Sequence, residues 1–152
     1  MRQPVPTEHW EQVQLFAWSE NLPELKLMHA IPNGGKRDIR VAIKLKEEGV
    51  KAGVPDIFLP LPRGGKHGLF IELKRRKYGR VSPEQLYWLD ALMREEYACS
   101  VCHGREMARD VILDYLRSGT DDKHTGHQTG GTAAFDREQA AGSPDEADPG
   151  GA

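Results

Sequence analysis

Two short apolar runs, residues 55–61 and 69–75, are separated by Pro62-Arg63-Gly64-Gly65-Lys66-His67-Gly68. Proline and glycine at that density make a turn. The runs therefore read as the two strands of an antiparallel hairpin. This feature constrains the fold more than any other, because a hairpin turn fixes register and register fixes which side chains meet. With the turn centred on Gly64, opposed residue numbers sum to 128, so Asp56 faces Glu72. Opposed Cβ atoms lie about 4.5–5.5 Å apart.

Two carboxylates that close repel unless a cation sits between them. A hard divalent ion such as Mg²⁺ takes carboxylate oxygens together with water and substrate phosphate, which fits this pair. Lys74 is two residues past Glu72 and shares its face of the strand. There its ammonium can orient a water or neutralise charge developing on phosphorus. The same pattern also suits a surface hairpin with an ordinary ion pair.

The remaining elements follow from caps and periodicity. Thr7 is a suitable N-cap for a helix over residues 8–20, with Trp10, Val13, Phe16 and Ala17 as its apolar face. Leu25, Leu27, His29 and Ile31 alternate, which predicts a strand. A helix is expected over residues 38–48, stopped by Gly49. Ser82-Pro83-Glu84-Gln85 has the cap, first-turn proline and third-position glutamine of a helix start. Leu86, Leu89 and Met93 form that helix's inner side. A short strand over residues 97–101 and a helix over 105–116, with Ala108, Val111, Ile112 and Tyr115 inward, complete the order α-β-α-β-β-α-β-α. That order is a mixed α/β sheet flanked by helices.

Charge divides the chain. Overall it has 21 Lys and Arg against 23 Asp and Glu, but residues 118–152 hold seven of the acidic groups and two of the basic ones. That segment has no Leu, Ile, Val, Met, Trp or Tyr, so it cannot bury enough surface to offset ordering entropy and is expected to be a disordered acidic tail. The folded unit is then residues 5–117, and residues 1–117 carry a net charge of +3. No run approaches the ~18 apolar residues of a membrane span. The first residues lack the apolar centre of a secretory signal, and two cysteines are too few for a disulfide scaffold, so a cytoplasmic setting is expected.

Pro55-Asp56 with Glu72-x-Lys74 resembles the PD-(D/E)xK nuclease superfamily. Four more stretches accompany it in order: Glu8-His9-Trp10-Glu11-Gln12, Ile31-Pro32-Asn33-Gly34-Gly35-Lys36-Arg37, the glycine-rich approach Glu48 to Phe58, and Ser82-Pro83-Glu84-Gln85. Together they are similar to the VRR-NUC family, in its small stand-alone phage and bacterial form, across residues 5–117. The resemblance implies a restriction-endonuclease-like fold and Mg²⁺-dependent hydrolysis of DNA phosphodiesters, with Mn²⁺ able to substitute. It implies Asp56, Glu72 and the Leu73 carbonyl as metal ligands, Lys74 as the catalytic lysine, and Glu8 as the helix-borne acid completing the site. Gln85 matches the polar residue opening the helix after the catalytic strand. Gln12 and Asn33 match polar positions of less defined role. The family's Glu-His-x-x-Gln spacing selects Glu8 over Glu11, which is expected to be a solvated helix residue. Stand-alone members resemble Holliday-junction resolvases and tend to dimerise, so a homodimer acting on branched DNA is expected. A flap or nicking nuclease, or a non-catalytic DNA-binding module, are the alternatives.

Basic residues flank these motifs. Lys36 and Arg37 precede the second helix, and Arg37, Arg40 and Lys44 share one of its faces. Arg75, Arg76, Lys77 and Arg80 follow the catalytic strand, and Arg63 and Lys66 lie in the hairpin turn. They suit phosphate contacts. None belongs to a base-reading motif, so shape-selective binding is expected. Trp18, Leu22, Leu25, Trp88 and Leu92 lie off the assigned inner faces and suit either a dimer patch or a wider core. Cys99-Ser100-Val101-Cys102-His103 has the spacing of a haem-attachment motif. In a strand, however, Cys99 and Cys102 point to opposite faces, and core cysteines are the expected reading.

Overall fold

The structure is a computed structural model that describes residues 5–32, 38–77 and 79–119. The elements are α1 (Glu8–Ser19), a 3₁₀ turn (Pro23–Leu25), β1 (His29–Ala30), α2 (Ile39–Glu47), β2 (Ile57–Leu59), β3 (Leu69–Lys74), α3 (Pro83–Arg94), β4 (Ala98–His103) and α4 (Arg105–Arg117). They form the expected mixed α/β arrangement. One sheet runs β1-β2-β3-β4, antiparallel for its first two pairings and parallel between β3 and β4.

The hairpin has the expected register. Ile57 pairs with Ile71, Phe58 with Phe70 and Leu59 with Leu69. Gly64 and Gly65 take φ values of 53° and 75°, a left-handed pair that glycine adopts without steric cost. A bridge from Arg63 to Lys66 closes the turn. Every β3 residue is buried. On one face Leu69, Ile71 and Leu73 join the core with Leu15, Ile57, Leu59, Cys102, Ala108, Ile112 and Tyr115. The other face carries Phe70, stacked on Phe58 at 4.2 Å, followed by Glu72 and Lys74.

Three expectations fail. Residues 25–31 do not form an alternating strand. Leu25 closes the 3₁₀ turn and is buried with Met28, whereas Leu27 is exposed and only His29–Ala30 pairs with β2. The inward face of α1 is Glu11, Leu15 and Ser19, while Trp10 and Val13 are exposed. Arg105 and Arg109 place guanidinium groups 4.5 and 4.9 Å over Trp10 and Trp18, so cations cover part of this aromatic surface. In α3, Leu89 is buried but Met93 is exposed. Of the residues that suited a dimer patch or a wider core, Leu25 is in the core and Trp18 and Leu22 pack against it.

The other caps behave as their chemistry predicts. The Thr7 hydroxyl accepts the Trp10 N–H, and Asp38 accepts the Arg40 N–H. Cys99 and Cys102 are free thiols, both raised by burial, to about 12 and about 11 respectively. They stay protonated at neutral pH.

Candidate active site

The β2–β3 register brings the backbone of Asp56, the residue before Ile57, opposite Glu72. The approach to Asp56 is built by Gly53. Its φ is 86°, and a Cβ there would lie 2.7 Å from the Glu84 backbone. Any side chain would push this loop off the first turn of α3. Trp88 of α3 ties the same loop down by donating to the Ala52 carbonyl at 3.0 Å. On its other side the Asp56 carbonyl accepts the Ile31 N–H at 2.7 Å. β2 begins only at Ile57, and the Asp56 carboxylate accepts the Leu73 N–H at 2.9 Å. Asp56 is therefore anchored through its backbone to the segment just after β1 and through its side chain to the strand that carries Glu72.

Glu72 is fully buried. Its Oε1 lies 2.7 Å from Lys74 Nζ and accepts Gln85 Nε2 at 2.5 Å. Its Oε2 is buried with no hydrogen-bond partner. Gln85 is oriented by its own helix: its Oε1 accepts the Ser82 N–H at 2.8 Å, while the Ser82 hydroxyl accepts the Gln85 N–H at 3.3 Å. This capping box fixes the carboxamide so that its N–H donors face Glu72.

The charges at this centre are frustrated. Burial, reinforced by the Asp56 charge, pushes the Glu72 carboxyl up to about 7 against the pull of Lys74. Burial likewise raises Asp56, opposed by the Leu73 N–H and Lys74 and reinforced by the charge of Glu8. Glu8 is exposed at the start of α1 and contributes to this field. A divalent cation would relieve the repulsion and give Glu72 Oε2 a partner. Among the described residues no three His, Cys, Asp or Glu side chains converge closely enough to hold an ion by themselves. Two carboxylates plus a backbone carbonyl nevertheless suit Mg²⁺, which keeps waters and takes substrate phosphate for its other positions.

The remaining sequence-derived positions scatter. Gln12 is half-buried on α1. Asn33, Lys36 and Arg37 lie outside the described residues. Arg40 and Lys44 are exposed on α2, and Lys44 pairs with Glu48 at 3.8 Å. Arg75, Lys77 and Arg80 are exposed beyond β3. Lys66 pairs with Glu96 at 3.0 Å. Arg76 donates from Nε to Glu11 Oε1 at 2.7 Å and also pairs with Glu106.

Glu11 overturns its expectation. It is not solvated but fully buried, and its second oxygen accepts the Arg105 N–H at 3.1 Å. Sequence reasoning missed it because its partners stand 65 and 94 residues away. The available signal was an acidic residue in register with Leu15 and Ser19.

The profile of the VRR-NUC domain matches residues 2–106. A solved structure described as a VRR_NUC domain protein superposes with a TM-score of 0.68 at 30% identity, covering 77% of this chain and 93% of that one. No curated protein matches the chain.

Proposed function

Since the chain belongs to the VRR-NUC family, within the PD-(D/E)xK nuclease superfamily, we propose that Asp56, Glu72 and Lys74 form the centre of a metal-dependent DNA endonuclease. The observation that carries this reading is Glu72. It is a fully buried carboxylate with one oxygen held by Lys74 and Gln85 and the other without a partner, and Asp56 stands across the hairpin.

Asp56, Glu72 and the Leu73 carbonyl are the groups that would hold Mg²⁺ or Mn²⁺, with Glu8 completing the set. The cation would supply Lewis-acid activation of water and charge neutralisation at phosphorus. The protein's own part is positional. Gln85 and Lys74 fix the Glu72 carboxylate. The Lys74 ammonium, buried beside it, is placed to orient an attacking water and to stabilise negative charge as the P–O bond breaks. The exposed cations Arg75, Lys77, Arg80, Arg40 and Lys44, with Lys36 and Arg37, are assigned to the DNA backbone, which dominates affinity without reading sequence.

The substrate we assign is branched DNA, four-way junctions foremost, cut by a homodimer in the cytoplasm of a bacterial or phage-infected cell. A two-fold dimer offers two related centres for two symmetric cuts. The exposed apolar residues of α2, Ile39, Val41 and Ile43, give such a contact a surface to cover. Cleavage of linear, flapped and four-way DNAs with Mg²⁺, with Mn²⁺ and with EDTA tests the reading. Paired nicks on the junction support it. Cutting confined to flaps would replace the junction substrate, and cation-independent cutting would remove the metal centre.

A further inference from the structure

We infer that Glu11 is a positioning residue for the active centre, acting through Arg76 to set α1, and with it Glu8, against the end of β3. The inference rests on the nuclease reading of Asp56, Glu72 and Lys74.

Three elements meet at the Glu11 carboxylate. From α1, Glu11 Oε1 accepts Arg76 Nε at 2.7 Å, and Oε2 accepts the Arg105 N–H at 3.1 Å. Arg76 lies two residues past Lys74. Arg105 opens α4, whose N-cap, Gly104, has no side chain to satisfy the helix's first N–H groups. Glu11 therefore supplies from another helix the negative charge and acceptor that a local cap would give. Arg76 continues to Glu106 on the first turn of α4. Gly104 is shaped for this arrangement. Its φ is 91°, and a Cβ there would lie 2.7 Å from Arg76 Cγ. The end of β3 is pinned from the same side, since the Lys74 carbonyl accepts the Gly104 N–H at 2.9 Å and the Arg75 carbonyl bonds with His103 Nδ1 at 3.2 Å.

The clamp thus fixes two things at once. It holds the backbone immediately after Lys74, and it holds α1 one turn from Glu8, whose charge reaches Asp56. A fully buried carboxylate is a costly way to join helices, because its charge must be desolvated while its arginine partner stays partly exposed. It is suited to specifying one geometry. Displacing a reacting group by about 1 Å costs on the order of 10²-fold in rate, and losing a residue that orients metal ligands costs about 10–100-fold in affinity or activity.

Glu11→Gln preserves shape and an acceptor for Arg105 but removes the charge that holds Arg76. In the full-length protein it should melt cooperatively. It should also bind Mn²⁺ at least about tenfold more weakly by calorimetry, lower kcat about 10–100-fold, and leave KM for DNA within about twofold. Arg76→Lys keeps the positive charge but loses the fork, and it should shift the same quantities in the same direction. If Glu11→Gln does not fold, Arg76→Lys decides the matter, because Arg76 is partly exposed. Amide exchange in the metal-free protein should speed up at the start of α1 in both variants. A folded variant with wild-type Mn²⁺ affinity and kcat would overturn the proposal. An Arg76→Lys protein with raised KM and unchanged kcat would also overturn it, by making Arg76 a DNA contact. Wild-type protein that neither binds Mn²⁺ nor cuts DNA would instead sink the nuclease reading itself.

Discussion

Gln85 Nε2 donates to Glu72 Oε1 at 2.5 Å while Gln85 Oε1 closes the capping box at Ser82. A single carboxamide therefore couples the start of α3 to the charge state of the buried carboxylate. Gln85→Glu separates the two roles, because glutamate also completes a capping box but replaces a donor at Glu72 with a like charge. Melting temperature should change by no more than a few degrees, while single-turnover cleavage should slow at least about tenfold. A variant that cuts normally would reduce Gln85 to a helix cap.

Lys74→Met keeps most of the apolar stem and removes the ammonium. Calorimetric titration should still detect divalent-ion binding, while the chemical step falls by about 10²-fold or more, the scale for losing one group that stabilises transition-state charge. Unchanged turnover would make Lys74 an ordinary partner of Glu72.

The metal-free protein should lose stability as pH rises. Glu72 titrates near 7 when folded against an ordinary 4.5, and Asp56 shifts in the same direction. For an acid whose folded value is raised, the folded state holds the proton more tightly than the unfolded state. Its stabilising contribution is complete below the unfolded value and is lost as pH climbs through the folded one. In EDTA the melting temperature should therefore fall between about pH 4.5 and pH 7. Glu72→Gln should flatten that fall and should be the more stable protein at pH 8. A wild-type curve that rises across this window would contradict the burial assignment.

Ending the chain at Gly119 removes seven acidic groups and two basic ones, and no Leu, Ile, Val, Met, Trp or Tyr. The shortened protein should melt cooperatively and bind DNA more tightly at low salt, with the difference shrinking at high salt where exposed charges are screened. Loss of the cooperative transition would give the segment a structural role.

The hairpin was legible in the sequence because its information is local. Two glycines at positive φ set the turn, the turn sets the register, and the register, which ends at Ile57 with Ile71, continues to Asp56 opposite Glu72. The Ser82–Gln85 cap was legible for the same reason. The orientation of α1 was not. Apolar periodicity selected Trp10 and Val13, but the buried positions belong to Glu11 and Ser19 beside Leu15, and burying Glu11 depends on Arg76 and on the start of α4. The alternation of residues 25–31 misled because 3₁₀ bonds, such as Leu25 N–H to the Leu22 carbonyl at 2.9 Å, hold Leu25 in a turn rather than a strand.

The most direct test of the central claim is single-turnover cleavage of a four-way DNA junction by wild-type and Glu72→Gln proteins with Mg²⁺, with Mn²⁺ and with EDTA, alongside DNA binding in EDTA. The wild type should cut only with a cation. The variant should bind DNA as tightly as the wild type without metal yet cut at least about 10²-fold more slowly. Wild-type cleavage rates in the Glu72→Gln protein, or undiminished wild-type cleavage in EDTA, would contradict it.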